Sequence, residues 1–486
     1  MIELDYKLNE KVGFSHVIDL LGTCSPYGTE RKKKLRVYDN TREAELTDEF
    51  YNISRVMTYM GEHDCTRIER RLLGLKDIRG SVGSIDSLSL NDIEFFELKR
   101  FLLQLELIAD DFSEMDSTCQ LKNIDIAPFT EALEVLDPDG MKTQTFMLSS
   151  SLSEELCAIR REKKDIEILL RKEMDQERRA TLLRKRARIT AMEDAEETRL
   201  RAMLCEKLLP YKQGLLNVID ALGSLDFTLA RARLALRYGC CCPSISQGGL
   251  ELSGMINPAI QDALEKRGKS FTPVSMQARH GVTVITGANM GGKTVALNTV
   301  ALNVLCVHCA IFPFARHAQV PLFDRLYLIA EDMQDSSKGL SSFGAEMMRL
   351  DAALLDIKKH DASLLLIDEL ARGTNPDEGA CIVRGVVNML KTMSVISVLT
   401  THYDNVACYA DAHYQVKGLC GVDMQALTAQ IAKKRSASVE LIEEYMNYGI
   451  IRVDTASEVP KDALRICELL GIDKELLIYV KKYIDK

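Results

Sequence analysis

The stretch Gly287–Ala288–Asn289–Met290–Gly291–Gly292–Lys293–Thr294 decides which fold we expect. It fits the pattern G-x-x-x-x-G-K-[ST], in which a glycine-rich turn presents successive backbone N–H groups to a phosphate. In such loops the lysine, here Lys293, reaches the β- and γ-phosphates, and the hydroxyl of Thr294 binds Mg²⁺. The sequence therefore predicts a phosphate-binding loop, formed by residues 287–294, with ATP and Mg²⁺ as its ligands.

The residues on either side of the loop predict a strand before it and a helix after it. Residues 281–286 form a short apolar run, and residues 295–305 contain neither Gly nor Pro. Apolar runs of these two lengths are typical of a buried strand and a helix. Free N–H groups and the helix dipole favour an anion at a helix N-terminus. This context favours a nucleotide site over a glycine turn that only connects two elements.

A second apolar run, Ser363–Ile367, ends in two carboxylates, Asp368 and Glu369. A buried parallel strand presents the residues at its carboxyl end to the edge of the sheet where ligands bind. We expect Asp368 to hold the Mg²⁺ shell, directly or through water. We expect Glu369 to polarise the attacking water as a general base.

A third apolar run, Ile396–Thr401, ends at His402. This order predicts an imidazole near the γ-phosphate, with a purely structural histidine as the alternative. Strands and helices alternate from about residue 270 to Leu419, which predicts a doubly wound α/β sheet of the P-loop NTPase class. The residues before it predict an all-α region.

The composition is that of an ordinary globular chain, with 46% hydrophobic and 27% charged residues. The formal net charge of −9 excludes a global basic field that would attract nucleic acid. We expect no membrane span and no signal peptide, and therefore a cytoplasmic protein. The fourteen cysteines lie in apolar or helical segments, which is typical of reduced thiols and not of a disulfide framework.

A long helical region precedes the α/β part. Residues 141–209 contain neither Gly nor Pro, and Ser153 has the character of a helix cap. A single helix of about 55 residues would be about 80 Å long, so we expect an antiparallel coiled-coil arm or hairpin at about residues 152–209. Residues 160–188 hold twelve Lys or Arg against six Asp or Glu. This excess fits either a solvated coiled-coil face or a docking surface for a polyanion or an acidic partner.

Four segments, in this order along the chain, resemble the ATPase domain of the MutS family. They are Thr286–Thr294, Leu340–Glu346, Asp368–Thr374 and Thr400–Tyr403. The match covers about residues 215–415, with a looser resemblance to that family's lever and clamp from about residue 45 to 215. It implies an N-terminal segment (1–45), a helical core and lever (46–240), an ATPase domain (241–420) and a C-terminal helical region (421–486).

The resemblance also implies roles for single residues. The ATPase domains of this family pair in a dimer, and each site is completed by the other subunit. Ser341 would reach the γ-phosphate bound by the other subunit, Asn289 would lie against the phosphates, and Phe271 would stack on the adenine. We therefore expect a homodimer through the ATPase domains.

The chain also departs from the family. We expect no mismatch-reading segment of the Phe-x-Glu type, and we expect the first 45 residues to be too few for that domain. We also expect no room after Ile484 for the nuclease module of the recombination-suppressing MutS relative. Yet Gly373–Gly379 is closer to that relative than to the repair protein.

Two hypotheses for the target of the ATPase stay open. The first is a protein-remodelling ATPase, since the chain resembles the MutS-type subunits that reactivate lysine 5,6-aminomutase, an adenosylcobalamin and pyridoxal-phosphate enzyme. ATP-driven opening would release the inactive cobalamin, and a second, smaller partner subunit is expected. The alternative is a MutS-like protein that binds DNA structures in mismatch repair or recombination control, which requires a positive channel.

Overall fold

The structure is a computed structural model that describes residues 6–143, 153–287, 292–330, 342–360, 362–418, 447–455, 457, 467–469 and 472–484. The chain divides into two compact units. One, here called the α/β unit, is drawn from Met1–Leu21, Arg36–Phe50 and Arg233–Lys486. The other, the helical unit, is drawn from Gly22–Leu35 and Tyr51–Ala232. A helical region is thus followed by mixed α/β sheets, and the predicted domain boundaries stay predictions.

The helices, in chain order, are α1 (Tyr6–Val12), α2 (Phe14–Leu20), α3 (Pro26–Lys33), α4 (Glu43–Glu62), α5 (Thr66–Leu73), α6 (Arg79–Gly83), α7 (Asp92–Cys119), α8 (Thr130–Leu136), α9 (Glu154–Lys172), α10 (Gln176–Leu208), α11 (Lys212–Tyr238), α12 (Pro258–Glu265), α13 (Lys293–His308), α14 (Ser342–Ile357), α15 (Pro376–Lys391) and α16 (Lys474–Ile484). The strands are β1 (Ser244–Ile245), β2 (Leu250–Met255), β3 (Val274–Ala278), β4 (Gly281–Thr286), β5 (His317–Val320), β6 (Arg325–Ile329), β7 (Ser363–Asp368), β8 (Val395–Thr401), β9 (Ala412–Gly418) and β10 (Asn447–Val453). Among these described helices, none combines the length and the apolar character that crossing a membrane requires.

The helical unit is organised by local caps and by one buried carboxylate. Helix α7 begins with a reciprocal capping box between Asn91 and Glu94. Asp226 in α11 is 1% exposed and accepts hydrogen bonds from the backbone N–H groups of Cys24 and Ser25 and from the Ser25 hydroxyl. These bonds fix the start of α3, which Ser25 caps. Residues 22–36 thus contain a helix, and the Ser25–Pro26 pair at its start marks its N-terminus in the sequence.

Helices α9 and α10 form an antiparallel hairpin, here called the hairpin, within the helical unit. The Ser153 hydroxyl caps α9 by accepting from Leu156 N, and residues 173–175 separate the two helices. Between its two helices the hairpin buries Ile159, Ile166 and Ile189. Several of its basic residues pair with carboxylates across the two helices: Arg160 with Glu193 and Glu197, Lys163 with Glu193, Lys185 with Glu162, and Arg186 with Glu167.

A six-stranded sheet in the order β10–β9–β4–β8–β7–β6 forms the centre of the α/β unit. Its strands are parallel except for β10, which pairs antiparallel with β9. Strand β4 is buried throughout, as is β8. Such continuous burial is typical of parallel strands covered on both faces. A separate four-stranded sheet has the order β1–β5–β2–β3.

Helices α14 and α15 pack on the central strands in one apolar cluster. Leu350 and Leu354 of α14 and Val387 of α15 lie in this cluster with Val284 of β4 and Ile367 of β7. These strand residues occupy positions whose side chains share one face of the sheet. The predicted doubly wound arrangement of helices stays a prediction.

The C-terminal region differs from the predicted set of helices. Asn447–Val453 is a strand, because it pairs with β9 and extends the sheet by one antiparallel edge. Within the predicted C-terminal helical region (421–486), residues 433–446 and most of residues 460–470 lie outside the described residues. Residues Lys474–Ile484 of this region form the helix α16.

Candidate functional site

The two ends of the glycine loop lie at the carboxyl edge of the six-stranded sheet. Gly287 follows β4, and Gly292 precedes α13 with φ 91°, a left-handed conformation that favours glycine. A Cβ added to Gly292 would stand 3.0 Å from the ring of Tyr448 on β10. Among the described residues, no side chain caps the N-terminus of α13. The first N–H groups of this helix can therefore serve an anion.

Lys293 lies between the loop and the second carboxylate of the site. Its side chain is 3% exposed, and Nζ donates a 2.8 Å hydrogen bond to Gly287 O. The same atom lies 3.0 Å from Glu369 Oε1. A buried ammonium group needs such partners. The contacts place the positive charge between the Gly287 carbonyl and the Glu369 carboxylate.

Three oxygen groups converge at Asp368, the last residue of β7. Thr294 Oγ1 donates to Asp368 Oδ1 at 3.1 Å, and Thr400 Oγ1 donates to the same atom at 2.7 Å. The Thr294 side chain is exposed. Hydroxyl and carboxylate oxygens this close together are the ligands that Mg²⁺ prefers. The chemistry of this donor set therefore fits a magnesium ion.

Glu369 directly follows β7 in a left-handed backbone conformation, with φ 49°. Its N–H donates to the carbonyl and the hydroxyl oxygen of Thr400, at 3.2 and 3.0 Å. Its carboxylate lies 3.4 Å from Arg372 and 4.0 Å from His402 Nδ1, in addition to Lys293. A non-glycine residue in this conformation is held there by its surroundings. The carboxylate is thus fixed at the sheet edge, with cationic groups on two sides.

His402 follows β8 and packs its ring against Tyr403, with 4.4 Å between the ring centroids. Among the described atoms, its Nδ1 is buried without a hydrogen-bond partner. Burial lowers the pKa of His402; the Glu369 carboxylate opposes this, while Lys293 and Arg372 add to it. The structure therefore brings a neutral imidazole to the same edge as Glu369.

The structure thus brings Gly287, Gly292, Lys293, Thr294, Asp368, Glu369 and His402 together. The other predicted members of the loop, Ala288, Asn289, Met290 and Gly291, lie outside the described residues, as does Ser341. Phe271 is half-buried. Its neighbour Thr272 would lie 3.5 Å from a Cβ at Gly449, which places the Phe271 segment beside β10.

Two further contacts at this edge were not predicted from the sequence. The fully buried His413 of β9 lies with Nε2 2.7 Å from the Thr286 hydroxyl and Nδ1 3.0 Å from Asp454 O. Because a carbonyl only accepts, Nδ1 carries the proton and Nε2 accepts from Thr286. The second contact is that of Tyr448 with Gly292. Neither His413 nor Tyr448 belongs to a motif, and both come next to Gly287–Thr294 only through sheet pairing.

The comparisons with known proteins agree with this geometry. Residues 283–470 match MutS domain V. This domain is a P-loop ATPase domain, so the comparisons support a MutS-family ATPase, as the motifs predict.

Several curated relatives are named Endonuclease MutS2. The one from Thermomicrobium roseum is 32% identical over 232 residues, which cover 46% of this chain and 29% of that protein. The one from Thermus thermophilus is 32% identical over 236 residues, covering 48% and 30%. The one from Acetivibrio thermocellus is 31% identical over 231 residues, covering 47% and 28%. The matches therefore span less than a third of the length of these relatives, and they give no support to a link with an aminomutase.

Proposed function

We propose that this chain hydrolyses ATP with the help of Mg²⁺ at the carboxyl edge of the six-stranded sheet. The observation that carries the proposal is that four side chains lie close together at this edge. Lys293 forms an ion pair with Glu369, and Thr294 donates a hydrogen bond to Asp368, which also accepts one from Thr400. The match to MutS domain V supports the same reaction. These groups provide an anion site, a cation site and a carboxylate base side by side.

We propose the following binding roles, supported by the described contacts of Lys293, Thr294 and Asp368 and by the motif for the rest of the loop. Backbone N–H groups of residues 287–294 and the Lys293 ammonium hold the phosphates, with Asn289 beside them. Thr294 and Asp368 hold Mg²⁺, which neutralises charge on the phosphate oxygens when bound. Phe271 stacks on the adenine in this proposal, supported by the family resemblance.

The catalytic roles fall to the residues after β7 and β8. Glu369 orients and deprotonates the attacking water, because its carboxylate is fixed beside Lys293. His402 contacts the γ-phosphate as a neutral hydrogen-bonding group. Ser341 of the partner subunit completes the site in a homodimer formed through the ATPase domains.

For the target of the ATPase we infer DNA, in mismatch repair or recombination control. Two findings support this: the similar proteins are named endonucleases, and the hairpin exposes Arg178, Arg179 and Arg184. Exposed arginines contact phosphates and make DNA binding depend on salt.

The second candidate is the reactivation of lysine 5,6-aminomutase with a small partner subunit, by release of inactive cobalamin. One observation favours a protein target: Arg160, Lys163, Lys185 and Arg186 pair with carboxylates of the hairpin itself, which weakens its positive field. The net charge of −9 also favours a protein target over DNA.

One experiment tests the reaction and its target together. The steady-state ATPase rate of the wild type is compared with those of Glu369→Gln and of Glu378→Gln, an exposed glutamate of α15 that serves as the control. We expect Glu369→Gln to bind ATP normally and to lose at least 10²-fold in kcat, because the base is gone. Unchanged turnover in this variant would remove Glu369 from the mechanism.

The same assay is repeated with duplex or branched DNA, and separately with cobalamin-inactivated lysine 5,6-aminomutase and the partner subunit. Stimulation by DNA alone supports the first target. Stimulation by the aminomutase, with renewed mutase turnover, shows instead that the aminomutase is the target.

A further inference from the structure

The loop that follows Glu369 contains a second residue in a left-handed conformation. Glu369 has φ 49° and Ala371 has φ 63°, and neither is a glycine. Such backbone persists only where neighbouring groups hold it. The direction of the Glu369 side chain therefore depends on what holds the Ala371 peptide, which is two residues away.

Two side chains hold Ala371 from opposite sides. Its N–H donates to Glu346 Oε2 of α14 at 3.0 Å, and its carbonyl accepts from the hydroxyl of Tyr403 at 2.8 Å. Ala371 is completely buried, as is Leu370. Leaving a buried backbone N–H without an acceptor costs free energy. The hydrogen bond from Ala371 N to Glu346 therefore restrains the loop.

The Tyr403 side of this arrangement is rigid. Tyr403 is 7% exposed and packs against His402, and a Cβ at Gly379 would stand only 2.3 Å from its hydroxyl. Burial raises the pKa of Tyr403, and the carboxylates of Glu346 and Glu369 raise it further. The hydroxyl therefore stays protonated and keeps donating to Ala371.

We propose that Glu346 is a positioning residue for hydrolysis: it holds the Ala371 peptide, and through it the conformation in which Glu369 points to its catalytic position. This inference rests on the proposed ATPase function. The phosphate- and metal-binding groups are fixed by other bonds, since Lys293 donates to Gly287 and Thr294 donates to Asp368. Glu346 therefore acts on the hydrolytic step and not on nucleotide binding.

The test compares Glu346→Ala, Glu346→Gln and Tyr403→Phe with Asp351→Ala, an exposed acidic position on the same helix. For each full-length variant, the single-turnover rate of ATP hydrolysis and the affinity for a fluorescent ATP analogue are measured. We expect Glu346→Ala to slow hydrolysis at least tenfold with affinity within twofold of the wild type. Glu346→Gln should recover to within threefold, because its amide oxygen accepts the same bond from Ala371 N. Tyr403→Phe should also slow hydrolysis without loss of affinity, and Asp351→Ala should match the wild type.

The inference is overturned if Glu346→Ala hydrolyses ATP within twofold of the wild type, or if Glu346→Gln is as slow as Glu346→Ala. A parallel loss of rate and affinity would also overturn it, because it would show a general structural role. If Glu346→Ala does not fold, Glu346→Gln and Tyr403→Phe decide in the same way. An active wild type with an inactive Glu369→Gln keeps the proposed function whatever Glu346 does, whereas a wild type without ATPase activity removes both.

Discussion

The ring of His402 lies near Glu369, Lys293 and Arg372, so its protonation state affects the charge of the whole site. Because burial is the largest influence, its pKa lies below the ordinary value near 6.5. The imidazole is therefore neutral at pH 7, and it can form a directed hydrogen bond without adding a third positive charge.

At the residue scale, we predict that His402→Gln lowers kcat about 10²-fold, the loss typical of one group that stabilises charge in a transition state. ATP affinity should change little, because Lys293 and Thr294 remain. The wild-type rate should show no His402-dependent step above pH 6.5, since a lowered pKa moves protonation to more acidic pH. The pH dependence of kcat measures both effects.

The control is His317→Gln, at an exposed histidine of β5, which should retain the wild-type rate. A His402→Gln enzyme with wild-type kcat would show that this histidine only packs against Tyr403.

The hairpin separates its basic residues into two classes. Lys185 and Arg186 are engaged with Glu162 and Glu167, whereas Arg178, Arg179 and Arg184 are exposed and have no ion pair among the described residues. Large apolar side chains are exposed at the same end: Ile168, Leu169, Met174 and Leu183. Arg161, Lys164, Arg171, Lys172 and Arg188 are exposed as well, so accessible positive charge is present along both helices of the hairpin.

At the element scale, we predict that replacing Arg178, Arg179 and Arg184 together by Gln weakens binding to duplex DNA at least tenfold at moderate salt. The slope of log K against log salt should become shallower by about 0.9 for each DNA phosphate that the variant no longer neutralises. The matched control is Lys185→Gln with Arg186→Gln, which removes paired charges and should leave DNA affinity close to that of the wild type. Titrations with DNA at several salt concentrations measure the affinity and the salt dependence of each variant. An equal weakening of DNA binding in the two variants would contradict the division into paired and unpaired basic residues.

The elements around the site could be predicted because their boundaries are marked in the sequence. Strands β4 and β7 have the predicted limits, since an apolar run is bounded by Gly281 and Gly287 in one case and ends at Asp368 in the other. The positions of the loop ends and of the two carboxylates could be predicted from these strand limits. The position of His402 could be predicted in the same way from the end of β8.

Other features depend on contacts that carry no local pattern. Residues 173–175 break the hairpin without any Gly or Pro, so only the pairing of the helices locates the turn. Strand β10 is defined by its pairing with β9, and Tyr448 comes next to Gly292 by that route. The Glu346–Ala371 bond joins residues 25 positions apart, and the left-handed conformation that it stabilises is visible only in the folded chain.

One buried histidine connects separate segments of the α/β unit. His308, at the end of α13, is fully buried; its Nδ1 lies 2.7 Å from Tyr38 O, and its Nε2 accepts from Phe323 N. Burial lowers the pKa of His308 to about 4, against a weaker opposing effect of the Tyr38 carbonyl. The neutral ring is therefore part of the packing between the N-terminal segment and the sheet.

At the scale of the molecule, we predict that the α/β unit loses stability as the pH falls from about 6.5 towards 4. As the pH falls through this window, the unfolded chain protonates His308 before the folded chain does, which favours unfolding. The difference between the two pKa values corresponds to about 3 kcal/mol. Urea unfolding followed by circular dichroism at pH 7.5 and pH 5 measures the change.

His308→Gln should be less stable at pH 7.5 but lose less stability on acidification, whereas His317→Gln should behave as the wild type. An unchanged pH dependence in His308→Gln would assign the acid sensitivity elsewhere, for example to His413, whose pKa burial also lowers.

The α/β unit is built from three separate pieces of chain, and the first two precede almost all of the helical unit. On the ribosome, Val12 and Tyr38 emerge long before their partners Asn257 and His308. Residues 22–35 and 51–232 can therefore fold first, while residues 1–21 and 36–50 wait for the sheet to be translated. A fragment that starts at residue 241 would lack these contacts, so expression of the isolated nucleotide domain requires the N-terminal segment to be supplied, either fused or in trans.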